Sequence, residues 1–261
     1  YLPMSRSTLR VSRLTQIQEL LEADESVTIG HLVQYLGVSE ATVRRDLDAL
    51  QTSGLVRRTH GGAIWAPLHE LPYPARSSRR IAEKRAIARA AAPLVTPGDT
   101  LFLGGGSTTL HLAGLLVDAE VTVVTNSLPV ATELSRGRRG QVIVIGGTLR
   151  TPEQSMVGPR AVESIRSYRA GIAFLGVPAL DPEQGFTADG DVEAATDLAF
   201  IDNAKRCIVL ADHSKLGRVA TTHVVPLTAI DTVVTDTGAS TDVIDDLRTA
   251  GSRVVVAEVT P

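Results

Sequence analysis

Residues 39–47 read Ser-Glu-Ala-Thr-Val-Arg-Arg-Asp-Leu, and the stretches on either side decide how the N-terminal part of the chain folds. Before them stands the turn Leu36-Gly37-Val38. After them, Gly54-Leu55-Val56-Arg57-Arg58-Thr59-His60-Gly61-Gly62-Ala63 reads as a hairpin. Leu14, Ile17, Leu20 and Leu21 mark one apolar face of a first helix. Thr28 is placed to cap a second helix, with apolar residues Ile29, Leu32, Val33 and Leu36, because a hydroxyl at that position accepts from a free N–H of the first turn. Gly37 supplies a tight turn that needs positive φ. Ser39 caps a third helix whose Val43, Leu47 and Leu50 face inward. A helix, a glycine turn, a helix opening with hydroxyl residues and a hairpin together make a winged helix-turn-helix.

In that layout the N-terminal turn of the third helix enters the major groove of DNA. Ser39, Glu40 and Thr42 then reach base edges, and Arg44 and Arg45 reach phosphates or a guanine. Arg57, Arg58 and His60 form a wing over the backbone or minor groove. Thr28 joins these candidate contacts at the start of the second helix. A plainer reading stays open, in which Arg44 and Asp48, four residues apart, pair on a solvated face. Residues 1–67 carry 7 Arg against 7 Asp or Glu, so the segment lacks the net positive charge of a typical DNA-binding domain.

A chain of 261 residues suits one small and one medium domain. Hydrophobic residues make up 43% and aromatics only 3%, so the core must be built from Ala, Val, Leu and Ile. The net charge of −3 supplies no global field toward nucleic acid or membrane, and any DNA contact rests on local placement. Cys207 is the single cysteine, which excludes an internal disulfide and leaves no cysteine zinc site. Its setting, Arg206-Cys207-Ile208-Val209-Leu210, reads as an inert core thiol. No run approaches the roughly 18 apolar residues of a membrane span, and no signal peptide precedes the first helix. The expectation is a cytoplasmic protein without metal or cofactor, with Met4 a candidate native start.

Residues 64–80 carry Pro67, Pro72 and Pro74, which break the helical pattern. The expected organisation is a winged helix-turn-helix over 8–64, a linker or docking strap over 65–80, and an α/β domain over 81–261. A helix resumes from Ile81 to Leu94. Arg76, Arg79, Arg80, Lys84, Arg85 and Arg89 stand there against Glu83, suited to DNA, to an anionic ligand, or to a solvated face. From residue 98 apolar runs alternate with helical segments. The runs are Thr100–Leu103, Val121–Thr125, Val142–Ile145, Ile172–Val177, Cys207–Ala211, Thr232–Thr235 and Arg253–Ala257. The helical segments fall near 107–117, 128–136, 159–168, 192–204 and 240–250. This pattern predicts a mostly parallel sheet covered on both faces.

In such sheets ligands bind beyond the carboxyl ends of the strands. The first strand leads into Gly104-Gly105-Gly106-Ser107-Thr108-Thr109, where free N–H groups and hydroxyls suit a phosphate. Thr125-Asn126-Ser127 follows the second strand and Gly146-Gly147-Thr148 the third. Asp212-His213-Ser214-Lys215 follows the fifth, with Lys215 adding positive charge. Glu193, beyond Gly185-Phe186-Thr187-Ala188-Asp189-Gly190, offers a carboxylate to hydroxyls or complements a helix dipole. The candidate effector site is therefore Gly105, Gly106, Ser107, Thr108, Thr109, Asn126, Ser127, Gly146, Gly147, Glu193, Asp212, Ser214 and Lys215. Phosphate donors on one side and carboxylates on the other describe a phosphorylated sugar better than a nucleotide. No Walker lysine and no full dinucleotide-binding fingerprint follows the glycines.

The signature Arg13-x3-Ile17-x3-Leu21, then 17 residues, then Ser39-x2-Thr42-Val43-Arg44-Arg45-Asp46-Leu47 resembles that of DeoR-family bacterial transcriptional regulators. Arg58-Thr59-His60-Gly61-Gly62-Ala63 resembles the end of that family's winged helix. Glu83-Lys84-x2-Ile87, the Leu103–Thr109 loop, Thr125-Asn126, Gly146-Gly147, Gly158 and Asp212-x-Ser214-Lys215 are similar to its sugar-phosphate sensor domain. The resemblance spans residues 8–235. It implies a fold like ribose-5-phosphate isomerase, an operator-DNA partner, a sugar-phosphate effector, and a homodimer or homotetramer acting as repressor of a carbohydrate operon. One departure stands out. Where the family's loop usually reads Leu-Asp-x-Gly-Thr-Thr, Gly104 replaces the acid and Ser107 the first threonine. The competing functions are a sugar-phosphate isomerase or deaminase with an accessory helical domain, and a constitutive DNA binder with a vestigial sensor. Isomerisation needs a carboxylate base near the substrate, and the loops after the second and third strands carry none.

Overall fold

A computed structural model describes residues 6–24, 26–52, 55–65 and 73–259. The chain divides into two compact units, Tyr1–Leu71 and Pro72–Pro261. Met4, Gly54 and residues 66–72 of the expected linker lie outside the described residues.

The first unit runs α1 (Arg6–Asp24), β1 (Ser26–Thr28), α2 (Ile29–Leu36), α3 (Glu40–Thr52), β2 (Val56–Arg58) and β3 (Gly62–Trp65). The two expected caps form as the sequence implies. Thr28 Oγ1 accepts from His31 N at 3.2 Å, and Ser39 Oγ accepts from Thr42 N at 3.3 Å. Gly37 takes φ 63° and closes α2. The wing is larger than a hairpin, because β1 pairs antiparallel with β3 and completes a three-stranded sheet, β1-β3-β2. Gly62 permits that pairing: a Cβ there would lie 2.0 Å from the Val27 carbonyl oxygen. Ile17, Leu21, Leu32, Val43, Leu47, Leu50 and Val56 form the core. Burying each such side chain stabilises the unit by about 1.5–3 kcal/mol.

The second unit opens with α4 (Tyr73–Ser77), a short helix where the sequence suggested linker. Pro74 sits in its first turn, where the missing N–H costs nothing. Then follow α5 (Ile81–Ala91), β4 (Thr100–Leu103), α6 (Ser107–Leu115), β5 (Thr122–Thr125), α7 (Leu128–Leu134), β6 (Gln141–Val144), β7 (Thr148–Arg150), β8 (Ser155–Val157) and α8 (Pro159–Arg166). The remainder is β9 (Ala170–Gly176), β10 (Ala179–Asp181), β11 (Gly185–Ala188), α9 (Asp191–Asp202), β12 (Ala204–Leu210), β13 (Thr222–Val225), β14 (Thr232–Asp236), α10 (Thr241–Thr249) and β15 (Arg253–Ala257).

Seven parallel strands form the main sheet in the order β15-β14-β12-β9-β4-β5-β6. Successive residues point to opposite faces, and in the central strands both faces are buried, which is why those strands read as unbroken apolar runs; the edge strands β6 and β15 are more exposed. Leu101, Leu103, Ile172, Phe174, Ile208 and Leu210 pack against α5, α6 and α7. Phe102, Ala173, Leu175, Cys207 and Val209 pack on the other side, where α8, α9 and α10 lie. Phe102 meets Phe200 of α9 there, with ring centroids 5.2 Å apart. Burial pushes the Cys207 thiol up to about 12, in keeping with an inert core group.

The sheet runs outward in both directions from the β4–β9 pair. β4 leads to β5 and β6 on one side; β9 leads to β12, β14 and β15 on the other. In open α/β sheets ligands bind at such a reversal, here beyond the carboxyl ends of β4 and β9. A small antiparallel sheet, β10-β11-β13, and the hairpin β7-β8 complete the unit.

Candidate functional site

The outer surface of α3 carries the first group of candidate residues. Ser39, Glu40, Arg44 and Arg45 are exposed and Thr42 is half-buried. Arg44 pairs with Glu40 at 2.6 Å, and Arg45 Nε donates to the Ala41 carbonyl at 3.2 Å. The alternative pairing of Arg44 with Asp48 does not form. Asp48 instead accepts from Arg58 Nη1 at 2.5 Å, and the same group lies 3.3 Å from the Arg44 carbonyl oxygen. Alternation along β2 explains this: Arg58 turns inward onto α3, while Arg57 turns out and is exposed. His60, at the turn between β2 and β3, is exposed too. Thr28 spends its hydroxyl on the α2 cap.

Two features of this surface escaped the sequence reading. Asp46 is 2% exposed and ion-paired with Arg13 of α1, Nε–Oδ2 2.5 Å, so the signature residues Arg13 and Asp46 lock α1 to α3. His31 and Tyr35, four apart on α2, form an edge-on ring pair at 6.4 Å, and Tyr35 is 56% exposed.

The second group lies at the carboxyl ends of the main sheet. The β4–α6 loop folds against its neighbours: a Cβ on Gly105 would lie 3.4 Å from Ser155 Cβ and 3.9 Å from Ser127 Cβ. Gly176, at the end of β9, lies against the same loop; its Cβ would come 3.5 Å from the Gly105 carbonyl oxygen. Ser107, Thr108 and Thr109 are buried at the start of α6, and Thr109 Oγ1 donates to the Gly106 carbonyl at 2.9 Å. After β5, Asn126 is 4% exposed. Its Nδ2 donates to the Met156 carbonyl at 2.9 Å, while its buried Oδ1 has no hydrogen-bond partner among the described residues. Ser127 caps α7. Gly146 and Gly147 are exposed after β6, with Gly147 packed close to Ala161 of α8.

Beyond β12, Asp212 accepts from Ser214 N at 3.1 Å and from Ser214 Oγ at 2.5 Å, in the short turn that carries Lys215. Arg80 Nε stands 3.9 Å from Asp212 Oδ1. Lys84, 4% exposed, donates through Nζ to the carbonyls of Arg76 at 2.5 Å and Arg79 at 2.7 Å. Burial pushes its ammonium down to about 8; Asp212 opposes that, and Arg76, Lys215 and Arg80 add to it. The segment 76–84 thus converges with Asp212 and Lys215 on one cationic cluster. Glu193 is paired with Arg150 of β7 at 2.5 Å, and Arg150 also lies 4.0 Å from Glu153, the partner of Arg76.

His213 is a further strand-end residue that sequence reasoning passed over. Its Nδ1 lies 2.7 Å from Asp236 Oδ2 and its backbone N donates to Oδ1 at 2.8 Å. A carboxylate only accepts, so the proton sits on Nδ1. The bond to Asp236 raises the imidazole pKa against the pull of burial. Burial pushes Asp236 up, but the bonds from His213 and Gly238 outweigh it and hold the carboxyl below its ordinary range.

The chain matches two family models, a DeoR-like helix-turn-helix domain over residues 13–66 and a DeoR C-terminal sensor domain over residues 79–237. It is 34% identical to the transcriptional repressor AccR of Agrobacterium fabrum, covering 88% of this chain and 90% of that one. It is 31% identical to the glycerol-3-phosphate regulon repressor of Escherichia coli, covering 87% and 91%. It is 32% identical to the HTH-type transcriptional repressor GlcR of Bacillus subtilis, covering 94% and 96%. Ribose 5-phosphate isomerase A of Methanocaldococcus jannaschii aligns over 53% of this chain and 55% of that one, at 19% identity and a TM-score of 0.38.

Proposed function

The chain belongs to the DeoR family of DNA-binding transcriptional regulators and is not an enzyme, and from that premise we propose how its two units divide the work. The winged unit reads an operator with Ser39, Glu40 and Thr42 at base edges and with Arg44, Arg45, Arg57 and His60 on the backbone. Arg58 braces the wing against α3 rather than reaching out. Two half-sites must be read together, so the working species is a homodimer or homotetramer.

The strand-end site of the second unit takes a phosphorylated sugar or polyol. One observation carries this reading: among the described residues the buried Asn126 Oδ1 is left without a donor, at the carboxyl end of β5 beside the Gly105–Thr109 loop. An unsatisfied buried acceptor costs about 1–3 kcal/mol, and a sugar hydroxyl placed there removes that cost. Lys215, in the cationic cluster, supplies charge for the phosphate. Glycerol 3-phosphate, which the name of the Escherichia coli relative points to, belongs in the same chemical class.

Thermal-shift titration against a panel of sugar and polyol phosphates tests the site, since a ligand that binds the native state raises its apparent stability. At least one member is expected to raise the melting temperature, and Lys215→Ala to weaken that ligand about 10- to 150-fold while leaving operator affinity in its absence intact. No shift from any member, or an unchanged affinity in Lys215→Ala, contradicts the assignment.

A further inference from the structure

We propose that Arg76, Glu153 and Lys84 are positioning residues for the effector response, holding α4, the segment through which the sensor unit joins the winged unit in sequence, against the hairpin that lies over Asn126. The inference rests on the effector reading above and adds to it the path by which occupancy is felt outside the pocket.

The hairpin β7-β8 is engaged on two sides through consecutive residues. Pro152 and Glu153 face the strap: Tyr73 N donates to the Pro152 carbonyl at 2.9 Å, and Arg76 forms an ion pair with Glu153. Both of those side chains are mostly buried, at 13% and 14% exposure. Gln154, Ser155 and Met156 face the effector loop. Leu128 N donates to the Gln154 carbonyl at 3.0 Å, Ser127 bridges Ser155, and Met156 N donates to the Asn126 carbonyl at 2.7 Å. Asn126 Nδ2 returns a bond to the Met156 carbonyl at 2.9 Å. A ligand seated on Asn126 Oδ1 therefore acts on a residue already bonded twice to Met156 of β8, with Ser127 and Leu128 next to it held to Ser155 and Gln154, five residues or fewer from the α4 contacts.

The carboxyl end of the strap is tied to the other half of the site. Lys84 Nζ bonds the carbonyls of Arg76 and Arg79, satisfying acceptors that a helix end leaves open. The next residue, Arg80, turns its guanidinium toward Asp212. Arg80 at φ 47° and Gln154 at φ 52° are the two non-glycine residues with positive φ among the described residues. A residue with a side chain is strained in that region unless its surroundings hold it there. Both lie in this one chain of contacts, one on each side of α4. A ligand that alters either end shifts an arrangement held under strain, and packed arrangements of that kind respond in discrete steps rather than by continuous bending.

The test uses the full chain, an operator duplex enriched by the wild-type protein from a random library, and three probes: glycerol 3-phosphate, fructose 6-phosphate and glucosamine 6-phosphate. The probe giving the largest thermal shift is carried forward. Wild type is expected to change operator affinity about 5- to 150-fold when the probe saturates it. Glu153→Gln and Arg76→Gln are expected to keep probe affinity within about threefold, yet to lose most of that change. The reversed pair R76E/E153R restores it. Hydrogen exchange on the wild-type chain gives a second readout that needs no variant: amides in 73–80 are expected to change protection when the probe binds. Variants that respond as wild type does, or exchange in 73–80 that ignores a bound probe, overturn the inference and leave the effector site standing. If no probe binds the wild-type chain, the effector reading fails and the inference falls with it.

Discussion

A methyl group at position 104 would meet Leu175 Cδ2 at 2.7 Å, and Leu175 is 1% exposed in the core. Gly104 is not among the glycines with positive φ, so its lack of a side chain serves close approach rather than backbone freedom. Leu175 fills the space that an acid at this position would need. Gly104→Ala is expected to cost about 1–3 kcal/mol by overpacking. Combined with Leu175→Ala, it should cost less than it does alone, because the two residues share one space. Strictly additive denaturation energies would contradict this contact. Gly104→Asp is expected to lower the melting temperature without tightening effector binding; tighter binding at an unchanged melting temperature would contradict a packing role for Gly104. The departure from the family loop was visible in the sequence; its cause was not, since Leu175 is 71 positions away and adjacent only through the parallel pairing of β4 with β9. Asp46 was hidden in the same way. It stands beside Arg44 and Arg45 in a polar stretch, and only the packing of α1 against α3 shows it to be buried and paired with Arg13.

His213 and Asp236 give a pH signature at the same scale. His213 is raised above its ordinary value, so its contribution to stability is complete below about pH 6.5 and is lost as pH rises through the folded value. Asp236 is held low, so its contribution is present above about pH 4 and is lost as pH falls through its folded value. The melting-temperature gap between wild type and His213→Asn is therefore expected to be widest between about pH 4 and 6.5 and to narrow above neutrality. A gap that stays level across that range would show that the pair carries no linked proton.

At the scale of elements, the wing makes two adjacent arginines do different things. Arg57→Ala is expected to weaken operator binding and to reduce the salt slope of log K by about 1, with thermal stability unchanged. Arg58→Ala removes the bonds to Asp48 and to the Arg44 carbonyl, and is expected to lower the stability of the winged unit as well. Equal effects of the two variants on both readouts would refute the division. Helices and main-sheet strands were legible because their patterns are long: apolar residues every three or four positions, or unbroken runs buried on both faces. The seven runs read from the sequence are the seven strands of the parallel sheet, displaced by one to three residues at some ends. The hairpin β7-β8 and the sheet β10-β11-β13 were not legible. Their strands are three or four residues long, too short for a period to show, and their pairing is set by tertiary contacts. The helix α4 was masked by its prolines, although one in the first turn is compatible with helix.

Over the whole molecule, the proposed function makes effector and operator binding linked equilibria. The protein carries a DNA-reading unit and a strand-end site in one chain, and neither unit has a net positive charge to attract its ligand: residues 1–71 carry 7 Arg against 8 Asp or Glu, and residues 72–261 carry 19 Lys or Arg against 21. Under the proposed function, local placement attracts both ligands, through Arg44, Arg45 and Arg57 on one surface and Lys84, Arg80 and Lys215 in one cluster. If effector and operator each favour a different arrangement of the chain, each must change the other's affinity by the same factor. The most direct measurement is a closed thermodynamic cycle on the full chain. Operator affinity is read by fluorescence anisotropy with and without a saturating sugar phosphate, and affinity for that sugar phosphate is read by calorimetry with and without operator. Equal factors are expected from the two arms, of about 5- to 150-fold, both falling most of the way to one in Glu153→Gln. A sugar phosphate that binds the strand-end site and leaves operator affinity unchanged would contradict that linkage.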